Sequence, residues 1–308
     1  MASQSKAQTL NDIHTLLKKH YKPKPERASG RLTVLEAVVY GICHEGSTRE
    51  QANQALSRFK DGFFDWNEVR VSSVTEIEEA LAGFTDTENR AYRIRRFLRQ
   101  LFEKTYGFNL EALAKKPLKE SLKVLCEYET VGGSDYVEAT VIQQSLGGHA
   151  MPVDAPARRA LERLGIIEPA AETPAVRSLL ERAVPKNRGV EFLDVLEDLA
   201  HDTCVDPIPD CPRCELRKLC PTAAARKEAA HAASKATASK EKAAAKPKME
   251  EPVKGPIAEK EKAKSKDKPT PKAIPKASSK TTPPPPPAPP APPAKPSNPL
   301  KKKPGSSK

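Results

Sequence analysis

The chain of 308 residues is poor in aromatic side chains, with one Trp, six Tyr and eight Phe, and it holds only three Met. None of residues 221–308 is aromatic, and Val253, Ile257, Ile274 and Leu300 are the only Leu, Ile, Val or Phe among them. Such a segment cannot bury enough apolar surface to offset the entropy of ordering it. No apolar run anywhere approaches the roughly 20 residues that cross a bilayer, so no membrane partner is expected. Met1–Lys24 lacks the apolar stretch of a secretory signal. Six Cys in a long chain without such a signal do not suggest a disulfide framework. A reduced, cytoplasmic setting is expected, where clustered cysteines point to metal or catalysis. Apolar–polar alternation bounded by hairpin turns is missing as well, which argues against strands.

Charge and proline divide the chain in two. The net charge is +12. Residues 1–220 carry 31 basic and 33 acidic side chains, whereas residues 221–308 carry 21 basic and 7 acidic, together with 19 of the 30 prolines. A nearly neutral body is followed by a cationic Ala/Lys/Pro-rich tail, expected to be disordered from residue 223 onward. Thr222–Ala233 alone has the alanine content for a fraying helix, and Pro283–Pro296 should be extended polyproline II.

The body reads as all-α. Ile94, Phe97, Leu98, Leu101 and Phe102 recur at the spacing of one helical face, and Leu10, Ile13, Leu16 and Leu17 make a shorter stripe. Ser47 with Glu50 and Ser73 with Glu76 have the capping-box spacing, while Pro117 and Pro174, the latter after the candidate cap Thr173, suit a first helical turn. Helices are predicted near 5–20, 33–44, 48–59, 74–83, 88–105, 117–127, 136–146, 155–164, 174–184 and 189–202.

Cys204, Cys211, Cys214 and Cys220 follow the spacing C-x6-C-x2-C-x5-C. Four thiolates so close in sequence can surround one soft metal centre, either iron–sulfur or zinc. Structural zinc sites more often use two C-x2–4-C pairs, and only one such pair is present. Pro207, Pro209 and Pro212 keep the loop from continuing the preceding helix. Cys43 and Cys126 fall in apolar stripes and read as core thiols.

This spacing at the end of an all-helical body resembles the endonuclease III family of helix-hairpin-helix DNA glycosylases. The resemblance runs from about Leu10 to Cys220. It is carried by LTVLEAVVYGICHEGSTREQANQAL, EALAGFTDTENRAYRIRRFLRQL and VGGSDYVEATVIQQSLGGHAMPVDAPARRALERLG. It implies a two-lobed fold: an N-terminal helix within 1–30 packing on the cluster lobe, a helix-hairpin-helix lobe over 31–148, an iron–sulfur lobe over 149–222, and the tail over 223–308. It also implies that the four cysteines hold a [4Fe–4S] cluster, with zinc the alternative. No small-molecule cofactor beyond the cluster is expected, and the chain should be a nucleoid-associated monomer acting on double-stranded DNA.

The family hairpin places glycines where backbone amides meet a DNA phosphate. Gly132, Gly133 and Ser134 fall at those positions, and Asp135 replaces a basic residue. Tyr136 falls where bifunctional members have the lysine that forms a Schiff base; a shifted alignment puts Ser134 there, and neither is an amine. Such a chain would lack lyase activity and resemble the monofunctional, mismatch-specific branches. An ordinary inter-helix turn is the competing reading of G-G-S-D. Asp154, in PVDAPAR, matches the family's aspartate, which stabilises positive charge on the sugar and helps activate water. The same residue suits an N-cap for a helix from Ala155, and the two roles are compatible. Cys43 stands where the family has a base-replacing glutamine. Adjacent His44 could face a base, although a solvated helix terminus suits it as well. The loop VDPIPD has lost the family's basic charge, while Arg213, Arg217 and Lys218 keep some nearby.

Two functions follow from these expectations. One is a monofunctional glycosylase with Asp154 as key carboxylate and Tyr136 lining its pocket. The other is a catalytically inactive [4Fe–4S] DNA-binding protein of the same fold. The tail would tether either to DNA non-specifically, or serve only as a solubilising linker.

Overall fold

The computed structural model describes residues 5–22 and 31–244, with side chains through residue 232. The described residues belong to one of two units, Met1–Pro247; the other, Lys248–Lys308, lies outside them. Helices follow one another as α1 (Lys6–His20), α2 (Val34–His44), α3 (Arg49–Gly62), α4 (Trp66–Val71), α5 (Val74–Ala80), α6 (Thr87–Thr105) and α7 (Glu111–Ala114). Then come α8 (Leu118–Leu125), α9 (Glu129–Gly132), α10 (Asp135–Val141) continued by a π-helical turn (Ile142–Leu146), α11 (Ala155–Arg163), α12 (Thr173–Ala183), α13 (Lys186–Asp202) and α14 (Pro221–Ala244). No strand occurs among the described residues, as the absent period-2 pattern predicts.

Two large hydrophobic cores form among the described residues, beside a small third cluster of Ala139, Ile142 and Ala150. The first is threaded by α2, whose Val34, Leu35 and every residue from Ala37 to Cys43 are buried; a helix buried all round needs no polar face. It packs against Ile94, Phe97, Leu98 and Leu101 of α6, the predicted stripe, all fully buried. At about 1.5–3 kcal/mol for each buried large apolar side chain, that stripe alone anchors α6. Phe102 is only partly buried and stacks on Phe108. The second core joins Leu10, Ile13 and Leu17 of α1 to Leu161 of α11, Leu180 of α12, and Phe192, Val195 and Leu196 of α13. Cys204, Cys214 and Cys220 pack against it. Helices α12 and α13 thus return to pack against α1.

Several local expectations are corrected. The capping box that opens α3 is Thr48 with Gln51, not Ser47 with Glu50; Ser47 turns its hydroxyl to the Cys43 carbonyl instead. Ser73 and Glu76 do form their box. Pro117 is the N-cap of α8, and Thr173 is the first residue of α12, one position after its cap Glu172. Cys43 is a core thiol, but Cys126 is exposed at the end of α8, because the last turn rotates it off the buried face. The short helices α4, α7 and α9 escape the periodicity argument, having at most six residues each. Helix α14 covers the alanine-rich stretch Thr222–Ala233 where a helix is expected; the expected disordered remainder and polyproline run lie outside the described residues. No described helix is long and apolar enough to cross a membrane.

Candidate active site and cysteine centre

The site is assembled at the ends of α2, α10 and α11. Arg90 of α6 is buried and donates to the carbonyl oxygens of Ile42, Cys43 (3.0 Å) and Glu45 (2.6 Å), satisfying the open carbonyls at the end of α2. This fixes where His44 and the following turn stand. Gly46 makes that turn with φ of +71°, the left-handed region that glycine enters without steric cost. Its amide donates to Asp154 Oδ2 at 3.1 Å.

Asp154 is also the N-cap of α11, its Oδ1 accepting from the Ala157 amide at 2.9 Å. Asp154 is thus the N-cap its motif predicts, and its second oxygen is turned to the loop that follows α2. Burial pushes its carboxyl above the ordinary aspartate range, against the pull of the Ala157 and Gly46 amides and of His44 and His201.

The hairpin is α9, a turn at Gly133 and Ser134, and α10. A Cβ on Gly132 would stand 2.2 Å from the Cys126 carbonyl oxygen, and one on Gly133 would stand 2.7 Å from that of Glu129. Both glycines are therefore required by close backbone approach. The amides of Gly132, Gly133 and Ser134 are bonded within the hairpin, to the carbonyls of Tyr128, Glu129 and Val131. Ser134 caps α10 by accepting from the Val137 amide at 3.2 Å, and its hydroxyl donates to Glu45 Oε1.

Two cavities meet here. An open cleft of about 770 Å³ is lined by Arg93, Gly133, Ser134, Tyr136 and Asp154 among others, and Gly132 is not among them. An inner cavity of about 280 Å³ is lined by Tyr40, His44, Tyr136, Gln143, Asp154 and Glu197 among others. Tyr136 and Asp154 are the two residues that line both, and no lysine lines either. Tyr136 is buried. Burial, and then the charge of Asp154, raise its phenol well above its usual value, so it stays neutral.

Sequence reasoning missed the partners of His44. The ring is not a solvated terminus: Nδ1 lies 3.0 Å from the Tyr136 hydroxyl and Nε2 2.7 Å from Glu197 Oε2. Glu197 Oε1 accepts from the Arg49 amide at 2.9 Å, and the Arg49 guanidinium pairs with Asp194 one turn earlier on α13. The i, i+3 spacing of Asp194 and Glu197 marks one face of α13, but nothing in the sequence places that face against α2.

Cys204, Cys211, Cys214 and Cys220 line one small apolar cavity with Leu164 and Leu199. All four are free thiols. Burial raises those of Cys214 and Cys220, which nevertheless receive backbone N–H bonds, from Leu216 and from Thr222 and Ala223. Arg163 stands 3.7 Å from the Cys204 sulfur. Four sulfurs around one cavity, with amide donors at two of them, fit a soft-metal group. Among the described residues no three His, Cys, Asp or Glu side chains are grouped as around a single metal ion. In the adjoining loop Arg213 is paired with Asp202 and Asp210, so little of its positive charge is left uncompensated.

No known family profile matches the chain, and no curated protein matches its sequence. Solved structures do share its fold. A trapped endonuclease III–DNA covalent intermediate and a non-covalent endonuclease III–DNA complex each match at 18% identity with a TM-score of 0.57, covering 73% of this chain and 100% of theirs. A thermostable thymine-DNA glycosylase matches at 19% identity with a TM-score of 0.51, covering 71% of this chain and 96% of its own. The described part of the chain therefore has the all-α fold of the helix-hairpin-helix DNA glycosylases.

Proposed function

We propose that the chain is a monofunctional DNA glycosylase of base-excision repair, hydrolysing the N-glycosidic bond of a damaged or mismatched base in double-stranded DNA. The observation that carries this reading is the pairing of Tyr136 with Asp154 where the open cleft meets the inner cavity, with no lysine lining either. The cleft has room for a DNA strand, and the inner cavity for an extruded base. Asp154, held by two fixed amide donors, stabilises positive charge growing on the sugar and accepts the proton of the attacking water. Without an amine nucleophile no Schiff base forms, so strand cleavage by a lyase step is not expected.

The cysteines Cys204, Cys211, Cys214 and Cys220 would hold a [4Fe–4S] cluster, which ties the loop over 204–220 to α11 and α13. Four sulfurs around one cavity, with a single C-x2-C pair among them, support an iron–sulfur group over zinc. We further propose that the cationic tail tethers a monomeric, nucleoid-associated enzyme to DNA.

The alternative, a DNA-binding protein of this fold without catalysis, draws on the acidic hairpin. Asp135 and Glu129 line the cleft, and Arg96 and Arg93 there are paired with Glu129 and Glu45. Duplexes bearing uracil, thymine mismatches, oxidised pyrimidines or alkylated purines, incubated with protein and then treated with alkali, separate the two. Alkali-dependent cleavage of one of them supports the glycosylase; tight binding without cleavage supports the alternative. Cleavage without alkali, trapped by borohydride, would refute the monofunctional assignment.

A further inference from the structure

Glu197, His44 and Tyr136 form an unbroken chain of hydrogen bonds that ends at the junction of the two cavities, beside Asp154. Its members come from α13, α2 and α10. Their proton positions are constrained by simple accounting. An ionised carboxylate only accepts, so the 2.7 Å contact with Glu197 places a hydrogen on His44 Nε2. In the neutral ring Nδ1 is then an acceptor. The Tyr136 hydroxyl must donate to it, and its oxygen turns lone pairs to the cavities. In the imidazolium Nδ1 carries a hydrogen and donates to the phenol oxygen, which frees the Tyr136 O–H to donate into the cavities.

We infer that His44, held by Glu197, is a positioning residue that decides whether Tyr136 offers a proton donor or lone pairs to a nucleobase held beside Asp154. The ligand in this statement rests on the glycosylase reading; the proton arrangement does not. With His44 protonated, the C1′–N bond breaks with its electron pair staying on the base, and the base nitrogen takes the Tyr136 hydroxyl proton. The Nδ1 proton then passes to the phenol oxygen, leaving His44 neutral. Water adds to C1′ and gives its proton to Asp154. Tyr136 is thus the residue touching the base, and His44 acts through it.

The groups surrounding His44 are few. Tyr40, one turn back on α2, packs against the ring at 5.0 Å between centroids. Tyr136 faces it from α10, Glu197 and Asp194 from α13, Arg49 from the start of α3, and Asp154 from the cap of α11. His201 of α13 lies near enough to Asp154 to influence it.

The test uses the full chain with labelled histidine, in the wild type and in the variants His44→Gln, Glu197→Gln and Tyr136→Phe. Side-chain NMR without DNA should assign the neutral His44 ring a hydrogen on Nε2. Glu197→Gln offers both a donor and an acceptor at that position, so the ring form with its hydrogen on Nδ1 should gain population. In parallel, single-turnover base release from a cleaved duplex is followed against pH. The wild type should lose activity on the alkaline side as His44 deprotonates. His44→Gln and Tyr136→Phe should be slower by about 100-fold, the low end for a positioned proton donor, without that alkaline limb and with DNA affinity nearly unchanged. A hydrogen on Nδ1 of the neutral wild-type ring, or an alkaline limb that survives in both variants, would overturn the inference. Absence of base release by the wild type would instead overturn the glycosylase reading, and the tautomer would still decide the proton arrangement.

Discussion

The Gly46 amide donates to Asp154 Oδ2 at 3.1 Å, joining the turn after α2 in the first core to the cap of α11 in the second. Since Oδ1 is held by Ala157, both carboxylate oxygens have fixed donors, and the side chain cannot rotate without breaking one bond. Two amide donors would ordinarily depress a carboxyl; burial outweighs them here and raises it.

That raised carboxyl predicts the acid side of the pH profile. On the proposed glycosylase reading, in which Asp154 acts ionised, activity should fall on acidification at a pH above the ordinary aspartate range. Together with the His44 limb the profile is bell-shaped. The sign for stability is opposite to that of a salt-bridged aspartate. The folded state binds the Asp154 proton more tightly than the unfolded chain, so this residue's contribution falls as pH rises from the unfolded value through the raised one. Single-turnover rates across pH check the first statement, and denaturant unfolding across the same window checks the second.

Gly132 sets the approach of α9 to the end of α8. Gly132→Ala puts a methyl against the Cys126 carbonyl oxygen, a backbone atom that cannot swing aside. A loss of about 1–3 kcal/mol is expected, as for other overpacked sites, read from the shift in denaturation midpoint. An unchanged midpoint would show that the hairpin can open without cost.

Much of this architecture was legible in the sequence. The stripe Ile94, Phe97, Leu98 and Leu101 announces α6 because a long amphipathic helix repeats its buried face several times. The fragments α4, α7 and α9 repeat nothing and stay invisible. The box that opens α3 lies one residue past the predicted Ser47, at Thr48, because the Ser47 hydroxyl is taken by the Cys43 carbonyl one turn back. The same contrast holds at the site. Asp154 stands out because its motif is local, as do the four cysteines. The Glu197–His44 bond does not, since its partners lie 153 residues apart and meet only once both cores have formed.

The cysteine centre gives a prediction independent of catalysis. The chain isolated without oxygen should carry iron and sulfide in equal amounts and absorb in the visible. Replacing Cys204, Cys211, Cys214 or Cys220 by Ala should each remove the colour and lower the thermal midpoint, because the loop over 204–220 loses its tie to the second core. The same treatment of Cys126, which is exposed and remote from the centre, should leave the iron content unchanged. A colourless chain with one zinc would correct the assignment of the group.

The tail's excess of 21 basic over 7 acidic residues should appear as salt dependence. Deleting residues 225–308 should weaken binding to undamaged duplex at low salt and flatten the slope of affinity against salt concentration, through fewer released counterions. Binding measured by anisotropy at several salt concentrations checks this. An unchanged slope would reduce the tail to a solubilising linker.

The central claim is that Asp154 carries the chemistry. Its most direct test is base release by wild type and Asp154→Asn, side by side, on the duplex that the wild type processes. Asparagine keeps the size of the side chain and removes its charge. The account predicts a loss of about 100-fold or more in the single-turnover rate with DNA affinity retained, in line with removal of a key electrostatic stabiliser. Base release by Asp154→Asn at the wild-type rate would contradict it.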